Sequence, residues 1–102
     1  MIHVLATIEL ADGKRDAFLQ EFHQLVPFVH AEQGCIEYGP TIDAVTDISA
    51  QATAGENVVT VVEKWDSVEA LKAHLVAPHM LSYREKVSGL VKSSRILVLE
   101  PA

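Results

Sequence analysis

Between Val58 and Met80 the spacing of apolar residues changes, within three positions, from a period of two to a period near 3.6. No other feature of the chain restricts its fold as much. Val59, Val61, Glu63 and Trp65 alternate with Val58, Thr60, Val62 and Lys64, which makes a strand with apolar groups on both faces. Asp66 or Ser67 then caps a helix, with Glu69 placed for a capping box on Asp66, and Val68, Leu71 and Leu75 supply its buried stripe. Pro78 interrupts that helix. A second helical piece follows, with Met80, Tyr83 or Arg84, Val87 and Leu90 at helical spacing. Junctions of this kind hold polar groups against apolar walls, so Glu63, Trp65, His74 and His79 make this stretch the place to look for chemistry.

The rest of the chain reads as scaffold around it. Ile2 to Leu10 alternates as a strand and Ala11-Asp12-Gly13 ends it. From Lys14, the residues Phe18, Phe22, Leu25, Val26 and Val29 form one helical stripe, with a kink or break expected near Val26 because Pro27 cannot donate to the carbonyl of His23. Gly34 is the expected C-cap, and Cys35 to Gly39 a short strand closed by Pro40. Thr41 to Asn57 has no period and reads as a lid, a dimer arm or an irregular strand, with Asp43 and Asp47 as turn-formers. Ser93 to Leu99 is the last strand. The order βαββαβ predicts an α+β, ferredoxin-like domain with a four-stranded antiparallel sheet and both principal helices on one face. Because the strands are apolar on both faces, the open face predicts a homodimer packed sheet to sheet.

At 102 residues there is room for one domain, spanning 1–102. The net charge of −6 and scattered Lys and Arg argue against nucleic acid as a partner. No apolar run is long enough to cross a membrane and the first residues lack a signal-peptide pattern, so the expected location is cytoplasmic. Cys35 has no second thiol and no adjacent base, and reads as a packed thiol.

Several residues could carry chemistry. His74 falls at the border of its helix stripe, where partial burial can hold an imidazole near neutrality as a base; a hydrogen-bonded core histidine is the plainer use. His79 follows Pro78 and opens the second helical piece. Five residues separate the two, which is not the i, i+4 pair of a helical zinc site, and no metal is expected. Glu63, flanked by valines and Trp65, needs a donor such as His74, Arg84 or a backbone amide, either to orient a base or to fix helix on sheet. Trp65 stacks on a flat ring or fills the core, and Tyr83 and Arg84 bind a substrate oxygen or lie on the helix surface. There is no GxGxxG and no Walker loop, so no nucleotide cofactor has a cradle.

Glu63-Lys64-Trp65, followed by Ser67-Val68-Glu69-Ala70-Leu71, His74 and Pro78-His79-Met80, resembles the antibiotic biosynthesis monooxygenase family of dimeric α+β barrels, and its quinol monooxygenase-type members most. The resemblance takes in nearly the whole chain, including the helix leading to Glu32-Gln33-Gly34-Cys35. It implies oxygenation of a small electron-rich aromatic such as a hydroquinone by O2, with no flavin, haem or metal. In that reading His74 is the first choice of base and His79 the second, Glu63 orients the base, Trp65 walls the ring, and Tyr83 or Arg84 holds a substrate oxygen. A non-oxygenase role stays open beside it, as a small-carbonyl or sugar isomerase or a stress-associated ligand-binding module.

Overall fold

The two clearest runs of alternation lie side by side. In the computed structural model, which describes residues 1–102, Ile2–Leu10 (β1) pairs antiparallel with Val58–Trp65 (β3), Val4 opposite Glu63 and Ala6 opposite Val61. Cys35–Thr41 (β2) joins the outer side of β3 and Val91–Leu99 (β4) the outer side of β1, giving the order β2-β3-β1-β4. Three helices complete the chain: Arg15–His30 (α1), Val68–Leu75 (α2) and Pro78–Val87 (α3). The chain is thus a four-stranded antiparallel sheet with three helices in a βαββαβ, ferredoxin-like α+β arrangement.

Register decides which side chains meet the helices. Val4, Ala6, Ile8, Val59, Val61 and Trp65 share one face, and all are buried against Phe18, Phe22, Leu25 and Val29 of α1 and Leu71, Met80 and Val87 of the other helices. Each large apolar side chain so enclosed stabilises the fold by about 1.5–3 kcal/mol relative to exposure. The opposite face carries Leu5 between Val62 and Leu97, with Leu99 further along β4, and Leu97 and Leu99 are exposed.

Local chemistry altered several expected boundaries. α1 does not break near Val26 but runs through Pro27 to His30. Pro27 stands in the last turn on the exposed side, where the unpaired carbonyl of exposed His23 can be hydrated. Gly34 is not the C-cap of α1. That helix ends at His30, and Gly34, with φ +87°, closes the turn that follows and enters β2. Ser67 rather than Asp66 is the N-cap of α2, its hydroxyl accepting from the Ala70 amide at 3.1 Å, so Glu69 completes no capping box on Asp66. Pro40 lies inside β2 instead of closing it, as an edge strand tolerates. Residues 42–57 form no helix or strand. Asp43 does act as a turn-former there: its carboxylate accepts from the Ala54 and Gly55 amides, which hold it below the usual carboxylate range.

Candidate active site

Three turns converge on one carboxylate. The Gly34 carbonyl accepts from the Asp66 amide at 2.8 Å, which docks the α1–β2 turn against the β3–α2 junction. His30, at the end of α1, donates its Nε2–H to the Tyr38 carbonyl at 2.8 Å and ties the same turn to β2. Glu32 is carried by this turn. Its Oε2 lies 2.9 Å from Nδ1 of His74 on α2 and 2.7 Å from Nε2 of His79 in the first turn of α3. One carboxylate oxygen therefore serves two imidazoles.

His74 is not at the border of its helix stripe but at its centre, only 1% exposed, while Val68 is turned outward. It packs against the Trp65 indole with ring centroids 4.6 Å apart and meets the Tyr38 ring edge-on at 5.3 Å. Burial pushes its pKa below the ordinary histidine value, and the hydrogen bond it donates to Glu32 works in the opposite direction. The carboxylate fixes the tautomer: Nδ1–H donates to Glu32, which leaves the lone pair of the neutral ring on Nε2.

Beside His74 lies a cavity of about 390 Å³ between the sheet and helices α2 and α3. This falls within the roughly 300–1,000 Å³ of small-molecule pockets. Its wall is mostly apolar, from Ala6, Val61, Phe22 and Met80 among others, and its polar groups come from Glu63, Tyr38, Tyr83, Arg84 and His74. Nε2 of His74, the second oxygen of Glu63 and the Tyr38 hydroxyl have no protein partner. No fully enclosed side-chain nitrogen or oxygen in the molecule lacks one, so these atoms meet the open space of the cavity.

Glu63 does not orient either imidazole, contrary to the expectation from its neighbours in sequence. Its Oε1 accepts from the Trp65 indole N–H at 2.9 Å, two residues along the same face of β3. Burial raises its pKa to about 7, partly offset by that hydrogen bond. Trp65 is fully buried behind Glu63 and His74 and is not part of the cavity wall, so its indole contacts the site residues and not the space a ligand would fill. Tyr83 and Arg84 do reach the cavity. Burial raises the pKa of both Tyr38 and Tyr83, so their phenols stay protonated as hydrogen-bond donors. His79 lies elsewhere. It lines a smaller groove of about 190 Å³ between α1 and α3 and stacks on Phe28 at 6.0 Å.

Cys35 is a half-buried thiol whose pKa burial pushes up, the opposite of an activated nucleophile. No three His, Cys, Asp or Glu side chains are grouped so as to hold a metal ion. The residue that sequence reasoning missed is Glu32, which lies 42 positions from His74 and 47 from His79. Periodicity reports only neighbours on one element. The single available sign was a carboxylate set in a turn between an apolar helix and a strand.

The chain as a whole is similar to known proteins. A family model described as antibiotic biosynthesis monooxygenase matches residues 1–86. A curated protein of Escherichia coli (strain K12), described as "Probable quinol monooxygenase YgiN", is 39% identical over 103 residues, covering 99% of this chain and 98% of that protein. Among solved structures, PA3566 from Pseudomonas aeruginosa is similar with a TM-score of 0.81 at 25% identity, over 99% of this chain and 93% of that one. Rv0793 from Mycobacterium tuberculosis is similar in fold, with a TM-score of 0.79 at 24% identity over 99% and 94% of the two chains.

Proposed function

The chain belongs to the antibiotic biosynthesis monooxygenase family, and from that premise we propose that it is a monooxygenase of a small electron-rich aromatic such as a hydroquinone, with His74 as the base. The observation that carries this reading is the unpartnered Nε2 of His74 at the cavity, with Nδ1 held by Glu32. Nε2 takes the proton of a substrate hydroxyl. The anion left behind is a stronger electron donor, able to reduce O2 by one electron and then recombine with it at a ring carbon. For a hydroquinone the balance is one substrate and one O2 giving one hydroxyquinone and one water, with the substrate supplying all the electrons. The phenols of Tyr38 and Tyr83 and the Arg84 guanidinium are the donors available to the anion, and Glu63, near its midpoint at neutral pH, is the acid available to the departing oxygen.

The working form in this reading is a homodimer. The support is the sheet face opposite the helices, where Leu5, Val62, Leu97 and Leu99 line up across three strands with no helix over them.

Oxygen consumption with a panel of hydroquinones, run beside an anaerobic control, tests the reaction. His74→Ala is expected to lower the rate about 10²–10⁴-fold, the usual contribution of a general base, with the circular dichroism of the fold retained. Uptake unchanged in that variant removes His74 from the role. Turnover of a carbonyl substrate at equal rate without oxygen would favour the isomerase, which the pairing of a neutral imidazole and a neutral-range carboxyl on one cavity would also serve.

A further inference from the structure

His74 and His79 contact the same oxygen of Glu32 from two different compartments. His74 meets the inner cavity and is almost wholly enclosed, while the His79 side chain is 25% exposed and lines the outer groove between α1 and α3. A single negative charge can offset one imidazolium, and a second brought to the same oxygen is repelled by the first.

We propose that the two histidines are coupled through the shared oxygen of Glu32, so that a proton arriving on His74 from the cavity expels one from His79 into the outer groove. This rests on the reading of His74 as the base. The step balances without moving any proton through the carboxylate. At the cavity the substrate O–H bond breaks and an N–H bond forms at Nε2 of His74. At the groove the Nδ1–H bond of His79 breaks and its proton passes to water, while Nε2–H of His79 and Nδ1–H of His74 both remain on Glu32. When His79 carries the second proton, the carboxylate is balanced by His79 before the step and by His74 after it. The substrate anion thus gains a cation beside it, and the proton leaves without solvent entering the cavity.

Other charges near the unit are few. His74 faces Glu63 of β3, the Tyr38 ring of β2 and, from α3, His79 and Arg84, both of whose charges lower its pKa. His79 faces the Phe28 ring of α1, and its groove is also lined by Glu21, Tyr83 and Lys86. Glu32 is the only carboxylate in contact with either imidazole. His79 and Glu32 are therefore positioning residues that act through His74.

Ring resonances of ¹⁵N-histidine-labelled protein, followed from pH 4 to 9 without substrate, test the coupling. In the native protein His74 and His79 are expected to share a two-step curve, with His3, His23 and His30 as internal references. In His79→Asn, a change at a partly exposed position that keeps a donor to Glu32, the His74 curve becomes single-step and its midpoint rises by about one pH unit. In Glu32→Gln the His74 midpoint falls, because the carboxylate that raises it is gone. A His74 curve of one step, with the same midpoint in the native protein and in His79→Asn, overturns the proposal. The base assignment is read separately, by oxygen uptake in His74→Ala, so the two can fail independently.

Discussion

At the scale of single residues the site is governed by burial, which moves two pKa values in opposite directions. His74 is driven down and stays neutral, and Glu63 is driven up to about 7. For Glu63 the consequence extends to stability. Its folded pKa lies above the ordinary carboxylate value of 4.5, so the folded state binds the proton more tightly than the unfolded chain. Stability from this group is fully present below about pH 4.5 and is lost as pH rises through 7, amounting to about 3 kcal/mol. Glu63→Gln keeps an acceptor for the Trp65 indole and removes the titration. Urea unfolding at pH 5 and pH 8 is expected to show a smaller difference for this variant than for the native protein; equal differences would mean that Glu63 ionises without penalty. His74 and His79 were legible in the sequence by type and by their place near a strand-to-helix junction. Glu32 was not, because the contacts that define its role are made across the fold.

Among the elements, the turn between α1 and β2 controls the geometry. A Cβ placed on Gly34 would stand 2.6 Å from the Ala70 Cβ on α2, and the backbone there has φ +87°. Both effects oppose any side chain. Gly34→Ala is expected to cost about 2–4 kcal/mol in chemical denaturation and to depress activity further by moving Glu32 relative to His74. Gly89→Ala, which meets nothing within 4 Å and has no positive φ, serves as the neutral comparison. Equal stability of the two variants would contradict this account of the turn. Strands β1 and β3 and the apolar stripe of α1 could be read from their periods because burial on one face imposes period two or 3.6 directly. The caps could not, since Asp66 and Ser67 carry equivalent signals and only backbone geometry chooses Ser67. Residues 42–57 show no period because no face of them is buried, and their one legible feature was the turn chemistry of Asp43.

For the whole molecule, the proposed homodimer depends on the open sheet face. Leu97 is 49% exposed in the single chain and lies directly opposite Leu5. Leu97→Lys places a charge in the middle of that face. Light scattering after size exclusion is expected to show the native protein at twice the chain mass and the variant shifted to the monomer, whereas a native monomer would refute the sheet-to-sheet arrangement.

The order β2-β3-β1-β4 has one more consequence. Cut anywhere in residues 42–57, the chain yields an amino half holding β1 and β2 and a carboxy half holding β3 and β4, and each of the three ladders joins a strand of one half to a strand of the other. Neither half can zip up by itself. Separately expressed fragments should therefore be shapeless alone and regain structure only on mixing, so that this interleaved sheet would behave as a two-component lock.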